Sequence, residues 1–393
     1  MITTLAVHGY RSLRDLVLPL APTTVITGAN GSGKSSLYRA LRLLAATAAD
    51  GVVAPLARDG GLERVLWAGP EQVTSGMRSG LVPVQGAHKR RKPVSLMLGF
   101  ATDDLGYLID IGLPVPGPSM FIHDPVIKRE EIFVPPLFRP SGSLVHRKGG
   151  TVTAIAETSS ERRRVHDDLS TRTSMLAELG DPQQYPEVLN LRRLVSGWRF
   201  YDSFRTDPDS PARSGCVGTW TPVLAADGND LAAAVATICE SAWQQPLTDA
   251  VDEAFPGTTL EVTQASGLFS LEVHQPGMLR PLTAAELSDG TLRFLLLAAA
   301  LLSPRPPSLL VLNEPETSLH PHVLPILARL VHEAAARTQV IIVSHADDLI
   351  APLLDAATTD DAVRHHQLVK NTGETLVEGR GLLGAARWEW GSR

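Results

Sequence analysis

Apolar positions at the start of the chain predict three short strands followed by a helix. The strand-like stretches are residues 2–7, 16–20 and 23–27. From Lys34 onward the apolar residues recur at helical spacing, and Gly51 ends the run. The residues that share this apolar face are Leu37, Leu41, Leu44, Ala45 and Ala48. The sequence therefore predicts a strand, a loop and a helix in direct succession.

The next part of the chain predicts an antiparallel β subdomain. Residues 52–165 are rich in proline and glycine, and they contain alternating stretches at residues 94–100 and 107–111. Short alternating stretches between turn residues are typical of antiparallel strands joined by long loops. We therefore assign residues 1–160 to an N-terminal lobe that includes this β subdomain.

Helical spacing returns in the centre of the chain. Leucine and methionine residues recur at helical intervals between residues 161 and 194, with interruptions at Pro182 and Pro186. Residues 231–255 have the pattern of a pair of helices. Residues 161–256 are therefore predicted to form a helical insertion.

The last part of the chain predicts a parallel sheet. Residues 260–263 and 268–274 flank a turn-prone segment and predict a hairpin. Beyond Ser288 the pattern alternates between helix and strand, at residues 291–302, 309–312, 323–337 and 340–343. This alternation predicts parallel strands joined by right-handed crossovers. We assign residues 257–393 to a C-terminal lobe and the chain to the α/β class with a mixed central sheet.

Composition and charge narrow the class of protein. The chain has 393 residues, no apolar run long enough to span a membrane and no secretory signal, so we expect a cytoplasmic protein. Cys216 and Cys239 are too far apart for a zinc-ribbon pattern. A net charge of −6 gives no general attraction to nucleic acid, so any contact with DNA must be local. The chain has three basic clusters, at residues 88–92, 162–164 and 192–193. Each cluster could contact DNA or could lie on the solvated surface.

The loop between the third strand and the first helix has the pattern of a phosphate-binding loop. Residues 28–35 read GANGSGKS and satisfy the GxxxxGK[ST] pattern between an apolar strand and an amphipathic helix. Glycines allow main-chain N–H groups to converge on phosphate, and the helix N-terminus adds positive potential. Lys34 is then placed to contact the β and γ phosphates, and the Ser35 hydroxyl to ligate Mg²⁺.

A buried strand at residues 309–312 runs into the acidic segment Asn313, Glu314, Pro315 and Glu316. A central parallel strand that ends in an acid delivers the carboxylate to the sheet edge where the phosphate loop also begins. Glu314 is then placed to orient or deprotonate the attacking water, and Asn313 to face Mg²⁺. Glu314 and Glu316 could instead stabilise the start of a helix.

Two further polar segments are candidates for contact with phosphate. His345 comes directly after the strand at residues 340–343 and would reach the same edge, where a histidine can contact the γ phosphate. Ser288 and Gly290 precede the helix at residues 291–302 and could form a second anion site. Because the chain has one phosphate loop, this second site would serve a nucleotide bound to another subunit. Ser288 could also be an ordinary helix N-cap.

The segments GANGSGKS, LSDGT, LLVLNEPETSLHP and VSH, in this order, resemble the Walker A, signature, Walker B with D-loop, and switch-histidine motifs of the ABC ATPase superfamily. The opening LAVHGYRSLRDLVLPL and the NEPETSLHP segment more closely resemble the RecF-like and OLD-like ATPases, which are relatives of the SMC proteins. The resemblance covers residues 1–50 and 280–350 well, and the middle loosely through GWRFYDSFRTD. It implies a P-loop ABC-type ATPase core.

The resemblance also implies a role for each matching residue. The phosphate and Mg²⁺ site would comprise Gly28, Asn30, Gly31, Ser32, Gly33, Lys34, Ser35 and Ser36. Glu314 would be the catalytic carboxylate, His345 the switch histidine, and Ser288 with Gly290 the contact to the partner's ATP. Residues 318–320 would form the D-loop at the dimer seam.

The chain departs from the ABC pattern in two respects. Asn313 stands where most ABC ATPases have an aspartate, which removes a negative charge near the metal and predicts slow hydrolysis. Gln72 and Gln85 are unsupported candidates for the Q-loop glutamine. The chain has no long coiled-coil heptads, and the 48 residues after His345 are too few for the Toprim nuclease domain of OLD-like enzymes.

The resemblance therefore implies an ATP-hydrolysing homodimer with ATP and Mg²⁺ at its interface. Its role would lie in DNA repair or antiviral defence, with DNA or a separately encoded effector such as a nuclease as partner. Two alternatives stay open at this point: an ATP-sensing dimerisation switch with negligible turnover, and the nucleotide-binding subunit of a transporter.

Overall fold

The structure is a computed structural model that describes residues 1–49, 51–71, 74–79, 81–82, 93–155, 162–202, 204–355, 362–379 and 387–392. The strands are β1 (Ile2–Tyr10), β2 (Leu13–Pro19), β3 (Thr23–Gly28), β4 (Leu96–Thr102), β5 (Gly106–Gly112), β6 (Val126–Phe133), β7 (Ser143–Lys148), β8 (Thr151–Ile155), β9 (Arg162–His166), β10 (Arg199–Tyr201), β11 (Cys216–Val217), β12 (Thr259–Ala265), β13 (Leu268–His274), β14 (Leu282–Thr283), β15 (Leu309–Asn313), β16 (Gln339–Val343), β17 (Val363–Asn371) and β18 (Glu374–Val377). The helices are α1 (Lys34–Ala46), α2 (Val53–Arg58), α3 (Leu62–Val65), α4 (Ser75–Arg78), α5 (Met175–Glu178), α6 (Pro186–Ser196), α7 (Leu231–Cys239), α8 (Gln244–Ala254), α9 (Asp289–Leu301), α10 (Leu324–Ala335) and α11 (Asp347–Asp355).

The chain forms two compact units that alternate along the sequence. The first comprises residues 1–20, 28–197 and 366–393, and the second comprises residues 21–27 and 198–365. The chain passes from one unit to the other inside β3, after Thr27, and inside β17, after His365. The three-part division proposed from the sequence stays a prediction.

The first unit contains an eight-stranded antiparallel sheet in the order β2-β1-β4-β5-β6-β7-β8-β9. Helix α1 packs on β1 and β4 and buries Leu37, Leu41 and Leu44, the apolar face that its sequence period predicts. Strands β4 to β8 of this sheet lie within residues 52–165, and they confirm the antiparallel β subdomain expected there. Helix α1 ends at Ala46, before Gly51, and the Thr47 hydroxyl donates to the Leu44 carbonyl at this end.

The expectation of helical structure from residue 161 was wrong at its start. Residues 162–166 form β9, which pairs with β8 at the edge of the sheet. Most of the leucine and methionine residues whose spacing suggested a helix lie in the two helices farther along, α5 and α6. Pro186 opens α6 and does not interrupt it, because the first position of a helix needs no N–H donor.

The second unit is built on the parallel strands β10, β15, β16 and β3, which are neighbours in that order. Helix α9 is buried from Thr291 to Leu301, as expected for a helix whose surface is largely apolar. The strand and helix alternation predicted beyond Ser288 is confirmed, as are the α7–α8 pair and the β12–β13 hairpin. None of the helices in the described ranges is both long and apolar enough to cross a membrane.

Candidate nucleotide-binding and catalytic residues

The phosphate loop joins β3 to α1 in the predicted way. Helix α1 begins at Lys34, and its N-cap residue Gly33 has φ of +115° and provides no side-chain cap. The first N–H groups of α1 are thus left for an external acceptor, which is the arrangement that binds phosphate. Asn30 and Gly31 are exposed on the loop.

The β17–β18 hairpin holds this loop in place. The Thr375 hydroxyl donates a hydrogen bond of 2.7 Å to the Ser32 carbonyl and accepts one of 2.8 Å from the Ser12 hydroxyl. A β-carbon at Gly33 would lie 2.2 Å from the Thr375 hydroxyl oxygen, so this position requires glycine for space as well as for its positive φ. A residue 343 positions away thus supports the conformation of the phosphate loop.

Lys34 is a buried cation without an acidic partner. Its side chain donates to the Gly28 carbonyl and, at 3.3 Å, to the Ala29 carbonyl, and the residue is 6% exposed. No ion pair between Lys34 and an acid occurs in the part of the chain that the structure describes. A buried ammonium that is solvated by carbonyls alone is suited to take up an anion.

The loop and the helix start therefore fit a nucleotide phosphate and its metal. Ser35 is exposed in the first turn of α1, and its hydroxyl is an oxygen donor of the kind that Mg²⁺ requires. Ser36 is half-buried behind it. The buried Ser32 hydroxyl has no hydrogen-bond partner among the residues described, which leaves it for a ligand. These residues would hold the phosphates and the Mg²⁺ of an ATP molecule.

The second unit brings Asn313, Glu314 and His345 to one sheet edge. Asn313 pairs with Val343 across β15 and β16, so Glu314 and His345 follow the ends of adjacent strands. Strand β3 ends at the same edge, because Ile26 pairs with Val343. This is the edge at which parallel α/β sheets bind ligands.

Glu314 has a strained backbone that is held from both sides. Its φ of +48° lies in the left-handed region, which is unfavourable for a residue other than glycine. Its N–H donates to the Val343 carbonyl at 2.7 Å, and its carbonyl accepts from Arg293 at 3.1 Å. Strain that is overdetermined by neighbours is typical of functional residues.

Arg293 is the buried cation behind this edge. It is 3% exposed, and burial lowers its pKa from the ordinary value. The negative charges of Glu316, Asp202 and Glu314 act in the opposite direction. Three carboxylates thus lie near one guanidinium, so the edge has an excess of negative charge that a divalent cation would offset.

Glu316 fixes the position of His345. Its Oε1 accepts from the Ser344 hydroxyl at 2.8 Å and from the His345 N–H at 3.0 Å, and the His345 Nδ1 lies 3.2 Å away. Glu316 is buried, whereas the His345 side chain is 55% exposed. The imidazole is therefore oriented at its Nδ1 side and accessible to a ligand at its other nitrogen.

The signature segment begins helix α9. The Ser288 hydroxyl accepts from the Thr291 N–H at 3.1 Å, so Ser288 is the N-cap residue. Ser288 is exposed, and Arg213 forms an ion pair with Asp289 at 2.8 Å. A β-carbon at Gly290 would lie 2.9 Å from the Ser318 carbonyl, so this glycine allows close contact with the D-loop. The geometry suits an anion site, and the expected contact of Ser288 and Gly290 with a partner's ATP stays a prediction.

Sequence patterns did not single out several residues that support the site. These are Asp202, Arg213, Arg293 and Thr375, and Glu316 in its role toward His345. Asp202 follows the aromatic residues Phe200 and Tyr201, and an acid at the end of such a short strand-like segment was an available signal. Gln72, Gln85 and residues 88–92 lie outside the described residues. Arg192 donates to the carbonyls of Leu176 and Leu179, so this member of a basic cluster has a structural role.

The family model described as "AAA domain, putative AbiEii toxin, Type IV TA system" matches residues 23–351, which is more than half of the chain. The chain belongs to this family. The match spans the phosphate loop, the signature segment, the Glu314 strand and His345. It confirms a P-loop ATPase domain with an α/β core, as the motifs predicted.

Solved structures that resemble the chain include SMC heads. The SmcHead bound to the C-winged helix domain of ScpA has 14% identity and a TM-score of 0.48, over 97% of this chain and 98% of that one. The Smc head with an extended coiled coil, bound to the C-terminal domain of ScpA and derived from Pyrococcus furiosus, has 13% identity and a TM-score of 0.49, over 96% and 95%. The SMC head from Thermotoga maritima has 14% identity and a TM-score of 0.42, over 97% and 99%.

No curated protein matches the chain by sequence. The assignment to the family rests on the family model and not on the SMC heads. Membership implies nucleotide binding, and the reaction, the assembly and the partners belong to the proposal below.

Proposed function

We propose that this protein is a cytoplasmic ATPase that binds Mg-ATP, dimerises around it and opens after hydrolysis. The observation that carries the proposal is the buried Lys34 ammonium, whose partners are the carbonyls of the phosphate loop. A cation in this setting gains most from an anion that replaces those carbonyls. ATP supplies that anion in the family to which the chain belongs.

Hydrolysis is assigned to Glu314 and His345. Glu314 orients and deprotonates the attacking water, and His345 contacts the γ phosphate from the orientation that Glu316 imposes. The Ser35 hydroxyl would hold Mg²⁺, which would supply positive charge to offset that on the phosphates. Asn313 would face the metal as a neutral residue.

Dimerisation is assigned to the start of helix α9. Ser288 and Gly290 lie at the N-terminus of a long buried helix, and Ser288 is exposed. The chain has one phosphate loop, so this second anion site would cap the γ phosphate bound by a partner subunit. Two subunits would therefore form a homodimer with two ATP molecules at the interface. The assembly of this dimer would depend on which nucleotide is bound.

The biological role is assigned to DNA repair or antiviral defence. The family description names a toxin of a toxin–antitoxin system, which favours defence. The closing and opening of the dimer would act on DNA or on a separately encoded effector such as a nuclease. The basic residues 88–92 are the proposed contact for DNA. Charge reversal there should reduce the salt-dependent affinity for DNA, and unchanged affinity would exclude this contact.

Steady-state ATP turnover tests the proposal. Lys34→Ala should abolish nucleotide binding, whereas Glu314→Gln should retain binding and lose turnover by at least about 100-fold. The matched controls are Lys148→Ala and Glu240→Gln, which change exposed residues and should behave as the wild type. Full turnover in Glu314→Gln, or unchanged ATP affinity in Lys34→Ala, would contradict the proposal.

Asn313 favours a second candidate, an ATP-sensing switch. In this case the protein would bind ATP and dimerise, but wild-type turnover would be no greater than that of Glu314→Gln. A wild-type rate well above that of the variant would exclude the switch.

A further inference from the structure

The carboxylate of Asp202 lies directly beside the amide of Asn313. Asn313 Nδ2 donates a hydrogen bond of 2.8 Å to Asp202 Oδ1, although the two residues are 111 positions apart in the sequence. Asp202 is the first residue after β10, and Asn313 is the last residue of β15. Both side chains therefore stand where neighbouring strands end.

The strand register fixes this pairing. Strands β10 and β15 are parallel, and Tyr201 pairs with Leu312, so Asp202 and Asn313 are the next pair along the two strands. Tyr201 is fully buried, and its hydroxyl donates to the Leu224 carbonyl at 2.7 Å, which anchors the end of β10. Asp202 thus reaches the same sheet edge as Glu314 from a fixed backbone.

Among the described residues, no cationic side chain forms an ion pair or a hydrogen bond with the Asp202 carboxylate. Buried Arg293 donates its hydrogen bonds to main-chain oxygens, at 3.1 Å to Glu314 and at 3.4 Å to Phe204. A carboxylate offers about four acceptor positions, so the bond from Asn313 leaves others for a hydrated cation. The bond also turns the acceptor end of the Asn313 amide, Oδ1, away from Asp202.

We propose that Asp202 supplies the negative charge that Asn313 lacks, and that the two side chains together hold the water shell of the nucleotide's Mg²⁺. Mg²⁺ keeps several waters and is commonly bound through one or two carboxylates together with substrate phosphates. Asn313 Oδ1 accepts from a metal-bound water, and the neighbouring carboxylate polarises the amide and contributes its charge. The inference rests on the proposed binding of Mg-ATP.

A charge-swap series tests this assignment. Asp202→Asn removes the charge and keeps the shape, and the double variant Asp202→Asn with Asn313→Asp returns one carboxylate to the pair on the other strand. The readout is the equilibrium affinity for a fluorescent ATP analogue, measured across a Mg²⁺ series and again in EDTA. Mn²⁺ binding to the nucleotide complex, followed by electron paramagnetic resonance, reports on the metal directly.

We expect Asp202→Asn to weaken metal-dependent binding by about tenfold, the lower end of the usual cost of losing a residue that supports a metal site. Affinity in EDTA should be unchanged. The double variant should recover to within about threefold of the wild type in both readouts. The matched control is Asp209→Asn, which removes an exposed carboxylate from the segment that follows β10 and should change neither quantity.

Three results would overturn the inference. They are wild-type Mg²⁺ dependence in Asp202→Asn, an equal loss of affinity with and without Mg²⁺, and failure of the double variant to recover while it remains folded by circular dichroism. If the double variant does not fold, Asp202→Ser serves as a second test and should show the same selective loss of metal-dependent binding. Failure of the proposed function is distinct, because the wild type would then bind no nucleotide in either condition.

Discussion

Glu316 Oε1 accepts hydrogen bonds from both the Ser344 hydroxyl and the His345 N–H, and it lies 3.2 Å from the His345 ring. One buried carboxylate therefore sets the orientation of the residue that we assign to the γ phosphate. Glu316 is a positioning residue in this account, since it acts through His345.

Glu316→Ala should reduce ATP turnover by about tenfold or more and leave the affinity for ATP within about twofold, because the imidazole loses its orientation while the phosphate loop is intact. The same change should lower the free energy of unfolding by about 1–3 kcal/mol, since it leaves two donors without their acceptor. Turnover assays and urea unfolding measure the two effects. A loss of stability at wild-type turnover would indicate a purely structural role.

Thr375→Val should weaken ATP binding by roughly threefold to tenfold, because the hydroxyl that fixes the Ser32 carbonyl is lost and the volume is kept. Fluorescence titration with an ATP analogue measures this change. Thr259→Val is the matched control, since Thr259 is an exposed strand residue. Equal affinities in the wild type and Thr375→Val would show that the hairpin does not support the phosphate loop.

Ser288 has two candidate roles, as the N-cap of α9 and as a contact to the partner's ATP. Two variants distinguish between them. Ser288→Asp retains a good helix cap, whereas it places a negative charge where we expect the partner's γ phosphate. Ser288→Ala removes the cap at a cost of about 1 kcal/mol. If Ser288 contacts the partner's ATP, Ser288→Asp should be as stable as the wild type and should not dimerise with Mg-ATP, as measured by light scattering. Dimerisation of Ser288→Asp at wild-type ATP concentrations would leave capping as its role.

His365 makes the stability of the protein depend on pH. Partial burial of the ring lowers the pKa of His365 below the ordinary 6.5, and its Nε2 lies 2.7 Å from the Thr27 hydroxyl. As pH falls below 6.5, the unfolded chain takes up the proton before the folded protein does, so the free energy of unfolding decreases until the pH reaches the folded pKa. In His365→Gln the difference in stability between pH 7.5 and pH 5.5 should therefore be smaller.

Urea unfolding at the two pH values measures this prediction. The control is His332→Gln, which changes an exposed histidine on α10. A pH dependence in His365→Gln that equals that of the wild type would contradict it.

Local signatures in the sequence predicted the parts of the site that the chain forms from neighbouring residues. The phosphate loop around Lys34, the strand that ends at Asn313 and the N-cap at Ser288 each depend on a few consecutive residues whose types have a direct physical reason. The same holds for the parallel strands β3, β15 and β16, since each is an apolar run of consecutive residues, whereas β10 lies in the segment that was expected to be helical.

The supporting contacts could not be predicted in this way, because they join residues far apart in the chain. Asp202 meets Asn313 through the pairing of β10 with β15, and Thr375 reaches Ser32 across 343 positions. Strand β9 was missed because exposed arginines occupy its start, so the segment has no apolar alternation. Its charge is typical of a strand at a sheet edge.

The central claim is that Lys34 of one subunit and Ser288 of its partner contact the same ATP molecule. Sedimentation velocity of Glu314→Gln with saturating Mg-ATP tests it most directly, because this variant should bind ATP without consuming it. We predict a dimer with Mg-ATP and a monomer without nucleotide, and we predict that Lys34→Ala placed in the same variant abolishes the dimer. Glu314→Gln that binds Mg-ATP and remains a monomer would contradict the claim.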